Sequence, residues 1–320
     1  MAHLVESMAY VGQTPWHGLG QVLSENQPIE VWEKEAGMDW RIEKAPVRFV
    51  AGSKSYLGEM REFEDKQVLF RSDSHMPLSV VSNRYHVVQP REILEFYRDL
   101  TERSGFQLET AGVLKSGKKL WALAKTGQTD ALKGNDVTEG YLLLATACDG
   151  SMATTAQFTS VRVVCNNTLA VALDGAASQV VKVPHNTAFD AAKVKQELGI
   201  TVSVWDDFIY DLNHLSQRKL NSHEAKGFIE RVFNPTPEEG KPLLNGRAMS
   251  QVLALYEGKG LGSELASSNG TAYGALNAFT EFVDHHRRSK SLGHRLDSAW
   301  FGVGSQLKQR ALQEARLLAA

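Results

Sequence analysis

Cysteine is nearly absent from this chain of 320 residues, which has only Cys148 and Cys165. So few thiols exclude a disulfide scaffold and suit a reducing cytoplasm. In that setting the Asn-x-Thr sequons at Asn166 and Asn269 are accidents of composition. Long apolar runs are also missing. No window approaches 18 apolar residues, and no membrane association is expected. The opening MAHLVESMAYVGQTPWHG has no basic segment followed by an apolar one, so no secretory signal is expected either. Nor is there a surplus of positive charge, since the formal charge is −2 and the pI is near 6.6. A protein held mainly by phosphate contacts needs Lys and Arg to replace counterions, so nucleic-acid binding here would require cations gathered locally.

Catalytic signatures are missing too. There is no GxxxxGK[ST] loop, GxSxG elbow, CxxC or HExxH. Gly18-Leu19-Gly20 follows no strand, so it is not a dinucleotide fingerprint. Asp284-His285-His286 has the letters of the Asp-His-His phosphoesterases, but the chain carries no Asp-x-Asp to accompany it. The triplet closes a helix, where adjacent histidines point about 100° apart and share one ion poorly. The expectation is no catalytic residue, no metal and no cofactor, with a metal-dependent nuclease or phosphoesterase using this triplet as the alternative.

What is present is ordinary globular patterning, 42% apolar and 22% charged. Residues 1–26 read as an N-terminal loop or arm. Pro28 opens the helix PIEVWEKEAG, and Pro90 opens the amphipathic helix PREILEFYRDLTERSG, which ends at Gly105. Between them WRIEKAPVRFV, KQVLFRS, MPLSVVSN and RYHVVQP have the period of strands. Beyond Gly105 two hairpins follow, one turning at Ser116-Gly117 and one at Asp149-Gly150 with type I′ chemistry. Asn166-Asn167-Thr168 would cap a short helix, TLAVAL, before the strand SQVVKVPH. After Thr187 the chain is helical, with a loop near 234–247. The expected class is α+β: an antiparallel or mixed sheet of hairpins packed on a long helix over 27–186, then a mostly helical region over 187–320.

Cations interleaved with aromatics are the best binding signal. In VLKSGKKLWALAKTG, Lys115, Lys118, Lys119 and Lys125 occur without an acid, and Lys119, Trp121, Leu123 and Lys125 share one face of a strand. Such a face suits single-stranded DNA, offering charge for the backbone and a ring for a base. It equally describes an edge strand blunted by lysines, with Trp121 packed under the next helix. Arg84, Tyr85 and Arg162 are polar residues inside apolar strands. Asn166, next to Arg162, could present free N–H groups to an anion. Arg287 and Arg288 lie in the basic cluster DHHRRSKSLGHR, part of which only complements a helix dipole. Upstream of that cluster, Ala272, Leu276, Phe279 and Val283 form an apolar stripe, and Tyr273, Asn277, Thr280 and Asp284 a polar one.

Together PWHGLG, NRYHVVQP, VRVVCNNTLAVAL, GTAYGALNAFTEFVDHHRRS and SAWFGVGSQLKQRAL resemble a phage- and plasmid-borne family, the DUF932-type domain of unknown function. That resemblance implies a mobile-element origin and a cytoplasmic protein, and transfers no catalytic residue. A looser, fold-level similarity is to the phage single-strand annealing proteins of the RecT and Red-beta group. It implies a ring- or filament-forming homo-oligomer that anneals single-stranded DNA in homologous recombination. A host-interaction protein is the further alternative.

Overall fold

Period-two patterning in the first half becomes two sheets. The computed structural model describes residues 5–12, 20–52, 58–164, 167–170, 180–198, 202–234 and 246–320. Strands β1 (Val5–Val11) and β2 (Gln21–Leu23) precede helix α1 (Ile29–Glu35). A three-stranded antiparallel sheet follows, of β3 (Ile42–Ala51), β4 (Glu59–Arg71) and β5 (Pro77–Ser82), and then α2 (Pro90–Ser104). The main sheet continues with β6 (Gln107–Leu114), β7 (Lys119–Leu132), β8 (Asp136–Ala147), β9 (Thr154–Arg162), β10 (Asn167–Ala170) and β11 (Val180–Val183). Its order is β10-β9-β8-β7-β6-β1-β2, with β11 beside β10 on the same edge of β9. Only the β1–β2 pairing in this sheet is parallel. The α+β class expected from the sequence is therefore the class observed.

Three local expectations change. The loop expected over residues 1–26 supplies β1 and β2, which extend the main sheet past β6. Residues 167–170 are not the start of a helix but strand β10, because Asn167 to Ala170 pair with Thr159 to Arg162 of β9. The 149–150 turn is also not type I′, since Gly150 has a positive φ and Asp149 does not. By contrast, the turn at 115–118 carries positive φ at Lys115, Ser116 and Gly117, as a tight hairpin requires.

Helix α2 forms where the sequence places it. Pro90 occupies the first turn, the Glu92 carboxylate accepts from the Gln89 N–H at 2.6 Å, and Gly105 ends the helix at φ 71°. Its apolar side buries Ile93, Leu94, Phe96 and Tyr97 against the main sheet, each contributing about 1.5–3 kcal/mol. The Tyr97 hydroxyl donates to the Ala122 carbonyl at 2.9 Å, with that of Leu142 at 3.0 Å as the alternative acceptor.

The helical half contains α3 (Ala191–Leu198), α4 (Val202–Gln217), α5 (Ser222–Phe233), α6 (Gly246–Ala254), α7 (Ala272–Glu281), α8 (Leu292–Phe301) and α9 (Val303–Ala319). Helix α7 is its centre and is buried on every side, including the polar stripe of Asn277, Thr280 and Asp284. Thr271 caps it by accepting from the Gly274 N–H at 3.0 Å. Gly274 itself is required, because an added Cβ would run into the Ser268 carbonyl of the preceding loop. A π-helical turn, Phe282–His286, closes α7 and holds the Asp-His-His triplet. The loop expected near 234–247 falls mostly on residues 235–245, outside those described.

A candidate ligand cavity on the second face of the sheet

Strand alternation divides β8 between two environments. Asp136, Thr138, Leu142 and Leu144 point to the face covered by α2 and the helical half, and Glu139, Tyr141, Leu143 and Ala145 to the other. The second face is covered by α8. There Leu296 is buried, and Trp300 meets Trp121 edge to face at 5.0 Å between ring centroids. Helix α8 is fastened by Asp297, which pairs with Lys115 at 2.7 Å and with Lys119. Under α8 and along the β6–β7–β8 face lies a cavity of about 590 Å³. Trp121, Leu123, Trp300 and Met8 form apolar wall, Glu109, Thr110, Lys125, Glu139 and Tyr141 form a polar end, and the exposed Glu25 and Asn26 line the rim.

A β-bulge builds the polar end. The register between β6 and β7 slips between Leu108 and Thr110, so Glu109 is the extra residue and falls beside the Lys125 and Tyr141 pair. Lys125 Nζ lies 3.1 Å from Glu139 and 3.6 Å from Glu109 Oε2, and the Tyr141 hydroxyl donates to Glu139 at 3.0 Å. Burial pushes the Glu109 carboxyl above its ordinary pKa, against the pull of Tyr141 and Lys125. Burial would lower Lys125, but Glu109 and Glu139 outweigh it and hold the ammonium above its usual value. Burial, then the same two carboxylates, raise the Tyr141 phenol.

Three residues that line this cavity each carry a buried side-chain polar atom without a hydrogen-bond partner, Glu109 Oε2, Thr110 Oγ1 and Trp121 Nε1, and each atom is closed off from solvent-sized access. Thr110 is 9% exposed and Trp121 only 1%. Polar atoms left unpaired in a folded interior each cost about 1–3 kcal/mol.

The residues expected to contact DNA are mostly engaged inside the molecule. Trp121 lies on a central strand under α8, not on an edge, so its ring presents no open stacking surface. Lys119 is buried, paired with Asp297, and sits 4.9 Å from the Phe301 ring. Arg162 is 4% exposed and binds Asp136 through two nitrogens at 2.7 and 2.6 Å, while also reaching Ser268 and the Gly262 carbonyl. It is a strut between the sheet and the loop before α7. Tyr85 donates to the Ala147 carbonyl at 2.8 Å and stacks on His185, so its ring is taken. Lys125 belongs to the cavity. Lys118 is half-buried in the β6–β7 turn, and Arg287 donates to Ser298 at 2.7 Å. Arg84 and Arg288 are exposed. Asn166 lies outside the described residues, as do Cys165 and the Trp16-His17 pair.

The Asp-His-His triplet is also occupied. Asp284 is buried and accepts from Lys308 at 2.8 Å and from the Thr168 N–H at 2.7 Å. His285 faces Asn167 Oδ1 at 3.1 Å, and His286 faces Glu281 at 3.4 Å. No group of three or more His, Cys, Asp or Glu among the described residues could hold an ion, and no helix there is long and apolar enough to cross a membrane.

Sequence reasoning missed Glu109, Thr110, Glu139, Tyr141 and Trp300. A signal existed for one pair, since Glu139 and Tyr141 are two apart in a strand and share a face. The bulge that brings in Glu109 leaves no such mark.

Fold and cavity define an α+β protein with a ligand-sized hollow between a sheet face and a covering helix. The model of a domain of unknown function (DUF932) matches residues 77–300, and the chain belongs to that family. No curated protein and no solved structure matches it.

Proposed function

We propose that the protein is a binding protein, cytoplasmic and without chemistry of its own, that holds a compact ligand in the cavity beneath α8. The observation that carries this reading is a hollow of ligand size, about 590 Å³, walled by Trp121, Leu123 and Trp300 and closed at one end by Glu109, Lys125, Glu139 and Tyr141. Asp297 holds the cover, so it governs access. The test is a comparison of ligand binding by the wild type and by Trp300→Ala and Asp297→Ala, using tryptophan fluorescence against a library of small metabolites. A saturable change in the wild type, weakened in both variants, is expected. A wild type that saturates with no compound contradicts the reading.

Single-stranded DNA annealing, as a ring- or filament-forming oligomer of a phage or plasmid, is the second reading, and one feature of the β3–β4 ribbon favours it. Phe49 and Phe63 are about half exposed on one face of that ribbon, with Arg61 opposite Phe49 and Arg48 on the other face. Arg48 and Arg61 pair only with exposed glutamates, interactions worth about 0–1 kcal/mol that a phosphate could replace. Arg84 and Arg288 are further exposed cations. A labelled oligonucleotide titrated at two salt concentrations separates the readings. Strongly salt-dependent binding, abolished by Phe49→Ala with Phe63→Ala and untouched by Trp121→Phe, favours DNA. No binding at low salt removes it.

A further inference from the structure

Far from the cavity, the three-stranded sheet of β3, β4 and β5 carries apolar side chains on both of its faces. We propose that its outer face is the interface of a two-fold dimer, covered by the same face of a second copy of this chain.

The register assigns the two faces. Residues paired across antiparallel strands point the same way, so each rung of the sheet belongs to one face. Ile42, Leu69 and Val81 point inward and are buried in the main core. The alternate rungs point outward: Phe70 with Glu43, Val68 with Ala45 and Val80, Phe63 with Val47, and Arg61 with Phe49. The slip between Pro46 and Val47 is taken up by residues 64–66 of β4, so the outward rungs continue along β3 to the tip. Phe49, Phe63 and Val80 are 47%, 48% and 58% exposed, and Val47, Val68 and Phe70 are half-buried. A contiguous apolar face of this kind is the mark of an interaction surface, and a second sheet stacked on it is the ordinary way to cover one.

Size and charge select the second copy. Strand β4 is 13 residues long. At about 3.4 Å per residue and about 4.8 Å between strands, the outer face spans roughly 500 Å². Two such faces stacked together bury roughly 1,000 Å², enough for a specific interface and well short of an obligate one. The charges on the face lie at its two ends, with Glu43 on the rung of Phe70 and Arg61 on the rung of Phe49. If the strands of the two copies run in opposite directions, Phe63 of one copy lies over Val68 and Val80 of the other. Arg61 of each copy then meets Glu43 of the other, twice in one dimer. A two-fold axis generates both contacts from one surface, as an isologous interface requires. Glu43 is exposed, and Arg61 meets Glu59 at 2.8 Å with both side chains in solvent, so neither group has to leave a buried site. A polyanion finds no surplus of positive charge there, since Arg48 and Arg61 are matched by Glu62 and Glu59.

The test is sedimentation velocity of the full chain from low to high micromolar concentration, with and without a short labelled oligonucleotide. A reversible monomer–dimer equilibrium is expected. Phe49→Ser with Phe63→Ser should abolish the dimer with Tm unchanged, because both rings are half in solvent. Met60→Ser, on the opposite face of the same ribbon, should leave association as it is. Arg61→Glu and Glu43→Arg should each raise the dissociation constant about tenfold or more, because each sets like charges against each other twice. The two changes combined should restore the dimer. A chain that stays monomeric at every concentration overturns the proposal, as does a dimer that survives Phe49→Ser with Phe63→Ser or is lost in Met60→Ser. Failure of the combined charge exchange to rescue overturns the antiparallel arrangement, and assembly beyond two copies overturns the closed dimer. A monomer that binds the oligonucleotide through Phe49 and Phe63 gives the face to nucleic acid instead.

Discussion

The two faces of the main sheet are covered in different ways. On the α2 face, Leu120, Ala122, Leu142 and Leu144 are almost wholly buried, and the Tyr97 hydroxyl is satisfied by strand carbonyls. The charges there, Arg162 and Asp136, are also buried, but they bind each other, Ser267 and Ser268. On the α8 face the strands carry Trp121, Leu123 and Tyr141, and their cover leaves a hollow of about 590 Å³. The first face is an interior completed by the chain itself. The second encloses a hollow, which the proposed function fills with a ligand.

The largest expected effect falls on the complete face. Asp136→Ala leaves the Arg162 guanidinium buried without its carboxylate and should cost about 3–5 kcal/mol in chemical unfolding. Next, Leu120→Ala and Leu123→Ala remove the same atoms from opposite faces of β7. Leu120→Ala should lie toward the upper end of about 2–5 kcal/mol, and Leu123→Ala toward the lower, because Leu123 already borders empty volume. Equal losses would mean that the two faces are packed alike.

A smaller effect depends on pH. The Glu109 carboxyl titrates above the ordinary 4.5, so the folded state binds its proton more readily than the unfolded chain does. Below pH 4.5 this group carries no penalty, and as pH rises through and beyond that value its ionised form increasingly opposes folding. Glu109→Gln should therefore raise Tm at pH 7 and leave it nearly unchanged at pH 4, as a pair of thermal scans would show. A gain at both values would assign the effect to something other than ionisation. Smallest of all is Arg288→Ala. Exposed and remote from both faces, it should shift stability by no more than about 0.5 kcal/mol.

Much of the fold was legible because it depends on local rules. Pro90, Glu92 and Gly105 mark α2, and the turn at Ser116-Gly117 marks the β6–β7 hairpin. The two strands at the N-terminus were missed because β1 pairs with the distant β6 and β2 joins the sheet only through β1, and their residues carry no alternation strong enough to reveal it. TLAVAL has helix-forming residues and a capping asparagine, but its first residues extend an existing sheet edge, and tertiary pairing overrides propensity there. The site was less legible. Lys119, Trp121 and Lys125 do share a strand face, as alternation requires, yet alternation cannot say whether that face meets solvent or another helix. Asp297 and Trp300, more than 170 residues away in sequence, decide it.

The most direct measurement of that decision is the indole N–H resonance of Trp121, assigned in a ¹⁵N-edited spectrum by its loss in Trp121→Phe. If the cavity is the binding site, titration with a ligand that binds there should shift this resonance, because the Trp121 ring borders the hollow. The other tryptophans distant from the cavity should stay in place. A Trp121 resonance that remains fixed at saturating ligand would contradict the account.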